Sequence, residues 1–346
     1  MIAQYDFNEL AAKQGFNVRE TEKTCRISDI LRSISEVGFL RNRLSLYGGT
    51  ALNFIYTSRT LRLSVDLDFN YRHMDTKDWG QIRTEIDQRI KDLLYKQGYN
   101  DSDITIDPSY PLSRITTQYT NTYETRDNFK IETGYMRRIP ILKADTKASF
   151  KHIGTHESLT VQTPIKEELF ANKWCTMLDR RTSRDLFDVY QISKMVFDHT
   201  VFRKCAIIES LMQEKQKLLK INVKQVINQI PIDTRLKNLL QTEEISIYDF
   251  REIKEQTTNF SKEIITSLTT NETKAIDQFH DRQTFNPNLI DENSILNKRI
   301  AEHPAILRTL QKLKQKQNEP RERKDGFGIL KGMDPFTAED DLDTHN

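Results

Sequence analysis

Apolar residues near the start of the chain recur at helical spacing. Ile27, Ile30, Leu31, Ile34, Val37 and Leu40 fall on one face of a 3.6-residue repeat, and the first 42 residues read as helical. RLSLYGG then reads as a short strand closed by a glycine turn. TALNFIYT resumes helical spacing through Leu52, Ile55 and Tyr56, with Thr50 placed to cap it. SVDLDFNY alternates between polar and apolar positions and reads as a strand. Residues 76–97 form an amphipathic pattern through Trp79, Ile82, Ile86, Ile90, Leu93 and Leu94, which Gly98 is placed to end.

Between residues 113 and 135 the texture turns to Thr, Tyr and alternating Ile. SRITTQYTNTY and NFKIETGY, parted by the polar ETRD, predict an antiparallel hairpin, and SLTVQTPI predicts one further short strand. From residue 164 onward the strand pattern stops. Helical patterns occupy 164–179, 183–197, 202–219, 222–230, 246–259, 262–280 and 294–314. No internal repeat is visible. The expected organisation is α+β: residues 1–160 as a small mixed or antiparallel sheet with flanking helices, then an all-helical half over 161–315. A tail over 316–346, rich in charge, Gly and Pro, is expected to stay disordered.

Composition narrows the class without naming it. With 346 residues, 37% hydrophobic and 29% charged, the chain has the core-forming material of a polar globular protein. No apolar run approaches the length of a membrane-spanning helix, and the first residues lack the basic start and apolar core of a secretion signal. Cys25, Cys175 and Cys205 are too scattered for a disulfide framework or a zinc site. The expectation is a cytoplasmic protein with no membrane partner. Net charge is only +2, but nine Lys or Arg against three Glu lie between residues 298 and 324, and five acids follow in 334–346. That basic stretch is either a solvated helix or a nucleic-acid contact. His152, His156, His199, His280 and His303 show no metal spacing and are expected at the surface.

The chemistry concentrates in LYGGTALNFIYTSRTLRLSVDLDFNY. On a strand, Asp66 and Asp68 share one face while Val65, Leu67 and Phe69 share the other. Two hard oxygen ligands side by side suit Mg²⁺, which takes one or two carboxylates and completes its shell with water and phosphate. Gly48 and Gly49 permit close backbone approach, and their N–H groups lead into a helix start at Thr50, a seat for phosphate. A lone Asp-x-Asp or Gly-Gly is commonplace; the two within twenty residues describe a nucleotide site. Downstream, Lys166 and Lys173 lie seven apart on one helix face, within reach of a triphosphate. Asp185 and Asp188 follow a helix start that Ser183 is placed to cap. There Asp185 either complements the helix dipole or serves the site.

The order strand, Gly48-Gly49-Thr50, helix, Arg62, then Ser64-x-Asp66-x-Asp68-Phe69 resembles the signature of the AbiEii/AbiGii (MenT-like) family of toxin nucleotidyltransferases. That family belongs to the DNA polymerase β-like superfamily. Its second motif, a Lys, an Arg and then Arg-Asp-x-x-Asp, is matched by Lys173, Arg181, Arg184, Asp185 and Asp188. The resemblance covers the chain through residue 190 and is only architectural beyond residue 200. It implies a polymerase β-like N-terminal half and an NTP held by Gly48, Gly49, Thr50, Arg62, Ser64, Lys173 and Asp185. Asp66, Asp68, Lys173 and Asp188 would carry catalysis. Enzymes of this superfamily take a third carboxylate from a neighbouring strand, so Glu132 joins Asp66 and Asp68 as an expected Mg²⁺ ligand, for one or two ions.

The resemblance further implies a Mg²⁺-dependent toxin that transfers NMP from an NTP to RNA, at the 3′ end of tRNA, and is neutralised by a cognate antitoxin. Two other readings stand beside it. One keeps the transfer chemistry with a protein or small-molecule acceptor. The other is an NTP-binding toxin without transfer, against which the paired carboxylates argue.

Overall fold

The computed structural model describes residues 5–72, 79–213 and 218–318. Helix α1 (Phe7–Gln14) starts on Asp6, whose carboxylate accepts the N–H groups of Asn8 and Glu9. Helix α2 (Val18–Glu36), capped by Asn17, buries Ile27, Ile30, Leu31 and Ile34 along the expected face. Helix α3 (Gly38–Arg41) leads to β1 (Leu44–Tyr47), followed by the short α4 (Gly48–Ala51) and a π-helical turn over Leu52–Tyr56. After β2 (Leu67–Tyr71) come α5 (Trp79–Lys96), β3 (Ile104–Asp107), β4 (Leu112–Thr120), β5 (Arg126–Gly134), β6 (Thr146–Lys151) and β7 (Ser158–Thr163).

Five strands form one mixed sheet in the order β1-β2-β5-β4-β3, and β6 pairs with β7 in a separate hairpin. The β4–β5 hairpin is antiparallel as expected, whereas β2 runs parallel to β5. This topology brings Asp68 beside Glu132, 64 residues later in the chain. Leu67, Phe69, Phe129 and Ile131 point into the core beneath α2 and α5. The opposite face of β2 and β5 is left for polar groups.

Among the described residues, the chain after β7 forms α6 (Lys166–Arg180), α7 (Ser183–Ile192), α8 (His199–Met212), α9 (Val223–Gln229), α10 (Thr234–Leu239), α11 (Phe250–Thr266), α12 (Thr270–Arg282), α13 (Ser294–Ala301) and α14 (Pro304–Asn318). Helix α6 is central: Leu169, Phe170, Ala171, Trp174, Cys175 and Met177 are buried where it packs on α7, α8 and the Leu52–Tyr56 turn. The side chain of Arg72, just after β2, is buried between Asp145 (3.2 Å) and Glu168 of α6, which fastens sheet to helix. The loop before β2 is fastened too. The Leu63 N–H donates to the Leu239 carbonyl at 2.8 Å, and Arg62 bridges to Leu240.

Several expectations need correction. Thr50 does not cap a helix: Tyr47 occupies the cap position of α4, and the Thr50 hydroxyl donates to the Asp66 carbonyl at 2.6 Å. The cap of α7 is Thr182, while Ser183 begins the helix and donates to Asp233. Asp66 precedes β2, which starts at Leu67, so the two carboxylates do not share a regular strand. Strands β3 (4 residues) and β6 (6 residues) and helix α10 (6 residues) are additions to the expected elements, each too short to state a period. The break between α11 and α12 falls at 267–269, where Thr269 and Glu272 form a capping box, and not near residue 260. The expected 294–314 helix is split at Glu302 and His303 by Pro304. His152 and His303 are buried, not at the surface. His152 donates to Asp29, and burial pushes His303 down to about 3. The expected helix start at 76–78, residues 214–217 and the tail from 319 lie outside the described residues.

Candidate active site

Strand register builds the floor of the site. Parallel pairing sets Asp68 beside Glu132, and antiparallel pairing sets Tyr47 beside Asp68 and Arg114 beside Glu132. The row reads Tyr47, Asp68, Glu132, Arg114 across four strands. Burial, Glu132 and then Asp66 push the Asp68 carboxyl up to about 7, against the opposing pull of Lys173 and Arg180. Asp66, nearly buried, accepts the Lys130 N–H at 3.2 Å; burial raises its carboxyl above the usual range, opposed chiefly by Arg184. Glu132 is engaged by Arg114 at 2.7 Å.

The glycine turn is pressed against this floor. Gly48 adopts φ +69°, and a Cβ there would lie 1.9 Å from Asp68 Oδ2. Gly49 is confined less tightly: a Cβ would stand 2.8 Å from Arg62 Nη2 and 3.0 Å from Ser64 Oγ. Thr50, whose hydroxyl lies 2.9 Å from Ser64 Oγ, ties the turn to the Asp66 backbone. Thr50 and Ser64 are therefore placed as braces of the turn.

Opposite stands the second motif. Asp188, fully buried, accepts two hydrogen bonds from Arg62 at 2.7 Å each and one from Lys173 at 2.9 Å. Burial alone would raise the Asp188 carboxyl, but Arg62 and Lys173 outweigh it and hold the group well below the usual carboxylate range. Asp185 closes the start of α7, accepting the Thr182 hydroxyl at 2.7 Å while its own N–H donates back at 3.3 Å. Lys166 donates to the Val196 carbonyl at 2.7 Å, away from Lys173.

A cavity of about 470 Å³ joins these parts. Of the residues singled out from sequence, Gly48, Asp68, Glu132 and Lys173 line it. Gly49, Thr50, Arg62, Ser64, Asp66, Asp185 and Asp188 are not among its lining and act on it through those neighbours. The sequence reading missed Arg180, Arg137 and Asn70, which line it too. Arg180 had a signal, since it lies seven residues after Lys173 on α6, and Asn70 continues the spacing of Asp66 and Asp68. Arg137 had none: it follows β5 in irregular chain, and the buried Glu209 of α8 holds it in place.

Among the described residues, no three His, Cys, Asp or Glu side chains form a preassembled metal cage. The donor set nevertheless fits a hard divalent cation. Asp68 is crowded by two other carboxylates, and a cation sharing its ligands with substrate phosphate needs only one or two protein oxygens. With Lys173, Arg180 and Arg137 around the same space, the cavity matches a polyphosphate bound beside a metal.

The profile of the family described as "Nucleotidyl transferase AbiEii toxin, Type IV TA system" matches residues 29–343. No curated protein matches the sequence. Among solved structures, MenT4, a nucleotidyltransferase toxin from Mycobacterium tuberculosis, is 16% identical over 85% of this chain and 100% of its own, with a TM-score of 0.61. CdnG, a CD-NTase from Bradyrhizobium diazoefficiens solved in complex with GTP, is 11% identical over 90% of this chain and 99% of its own, with a TM-score of 0.24. The first likeness shows a common fold; the second is too low to carry an argument.

Proposed function

The chain belongs to the AbiEii family of nucleotidyltransferase toxins of toxin–antitoxin systems, and on that premise we propose that it moves NMP from an NTP to an RNA 3′ hydroxyl, that of tRNA, with Mg²⁺. The observation that carries this reading is the juxtaposition of Gly48 and Lys173 with the Asp68–Glu132 row at one cavity. The acceptor oxygen attacks the α-phosphorus, the bond to the bridging oxygen of the β-phosphate breaks, and pyrophosphate leaves. Asp68 and Asp66, with Glu132 if Arg114 releases it, are the residues that would hold the metal. When bound, Mg²⁺ supplies charge for the phosphate oxygens and lowers the pKa of the attacking hydroxyl.

Each remaining part of the site has a role in positioning. The Gly48–Gly49 turn lets backbone approach the phosphates closely, and Lys173 and Arg180 neutralise them. Asp188 holds Lys173 in place while Arg62 shares its carboxylate. Arg137, braced by Glu209, adds a cation at the cavity edge. The assignment of RNA draws on helix α14, PAILRTLQKLKQKQN, which carries four Lys or Arg and no acid. Among the described residues no helix is long and apolar enough to cross a membrane.

The test is incubation of the protein with each labelled NTP, Mg²⁺ and total RNA, beside Asp68→Ala. Label in a tRNA-sized band, absent from the variant, supports the reading. Label on protein or small molecules, or equal transfer by the variant, overturns the RNA assignment or the metal assignment respectively.

A further inference from the structure

Beyond the Asp68–Glu132 row, the same sheet face continues as Ser45, Asn70, Gly134 and Leu112 in register. Asn70 stands on the Asp68 side of β2, only 5% exposed, and lines the cavity. Its Nδ2 has no hydrogen-bond partner among the described residues. Directly across from it, Ser45 is fully buried and its Oγ is likewise without a partner. Buried polar atoms are nearly always hydrogen-bonded, because leaving one unpaired is destabilising. Ser45 is not part of the cavity lining, so Asn70 is the unpaired group that a ligand in the cavity would satisfy.

The surroundings say which part of a nucleotide belongs there. Gly134 keeps the space beside the amide open, since a Cβ would come within 3.3 Å of Asn70 Oδ1. Pro111, Leu112 and Met136 give that end apolar walls. This row of the floor carries no charge, whereas Lys173 and Arg180 act on Asp68 one row away. Two residues along a strand span about 7 Å, roughly one nucleoside beyond the phosphates.

We propose that Asn70 selects the NTP by hydrogen-bonding the edge of its nucleobase through the side-chain amide. This rests on the cavity being the NTP site. A carboxamide presents a donor and an acceptor side by side, the pattern by which Asn and Gln tell one base edge from another. A site built to satisfy such a group rejects bases that do not match it.

The test compares kcat/KM for the four NTPs, and for the matching dNTP, in the wild type, Asn70→Ala and Asn70→Leu. Thermal melting of each is followed with and without nucleotide. The wild type prefers one NTP, and both variants lower that preference about tenfold or more. Without nucleotide the variants melt at or above the wild-type temperature, because an unpaired amide has been removed; a merely structural Asn70 would lower it. Equal loss for all four NTPs, unchanged preference, or a wild type indifferent to the base overturns the inference. Loss confined to the NTP-over-dNTP ratio also overturns it, by moving the contact to the ribose. A wild type that transfers none of the four overturns the transferase reading itself. A selective wild type with equally selective variants overturns only the role of Asn70.

Discussion

Gly48 and Asp68 occupy almost the same space: a Cβ on the glycine would fall 1.9 Å from Oδ2 of the carboxylate. The glycine turn and the strand that carries Asp68 are thus one unit, set by contact and not merely neighbours in sequence. The positive φ of +69° adds a second reason for glycine. Gly48→Ala is expected to displace Asp68 and cut transfer by about 100-fold or more. Its stability cost should be on the order of 1–3 kcal/mol. Steady-state kinetics and melting check this, and near-normal transfer would refute the shared placement.

Asp188 is the buried anion that two cations share. Asp188→Asn leaves Arg62 and Lys173 facing each other without compensation, for an expected loss of about 3–5 kcal/mol by denaturant unfolding. The pH dependence has a definite sign. Because the folded carboxyl lies below its ordinary value, its contribution is intact above pH ~4 and disappears as pH falls below that. The variant's stability curve should be flatter than the wild type's in that acid range, and identical slopes would count against the assignment.

The two cations on Asp188 should separate by readout. Arg62 makes two of the three bonds, also donates to the Leu63 carbonyl, and stands against Gly49. Lys173 makes one bond and lines the cavity. Arg62→Met is therefore expected to cost stability chiefly, and Lys173→Met to cost activity chiefly, by about 100-fold with a raised KM for NTP. Equal melting losses together with equal kinetic losses would show that the division is wrong.

The legible parts of this molecule are those fixed by local pattern. The buried face of α2, the β4–β5 hairpin and the helical texture after residue 164 follow from side-chain periodicity, which the chain states residue by residue. The resemblance to the AbiEii family rests on short motifs that remain contiguous, and the family match over residues 29–343 agrees with it. What the pattern does not state is which distant groups meet. The parallel pairing that sets Asp68 beside Glu132, and the reach of Arg62 to Asp188 across 126 residues, are decided by topology. Thr50 and Ser183 have the local sequence context of caps, but tertiary partners at Asp66 and Asp233 claim their hydroxyls. Arg137 becomes visible only when Glu209 arrives from another helix.

Asp68 gives the metal reading its own signature. With its carboxyl at about 7, the metal-free chain takes up a proton on folding between the ordinary carboxylate value and that point. Stability contributed by the protonated group is therefore greatest at acid pH, declines as pH rises through that window, and levels off above 7. A divalent cation must displace this proton. Apparent Mg²⁺ affinity should fall about tenfold per pH unit below 7 and be nearly constant above it. Thermal shifts on Mg²⁺ titration at pH 6, 7 and 8 measure this directly, without any acceptor or transfer assay. Asp68→Asn should lose the Mg²⁺ response and, in the absence of metal, the decline in stability between acid and neutral pH. A Mg²⁺ response of equal size at pH 6 and pH 8 would place the metal elsewhere than on Asp68.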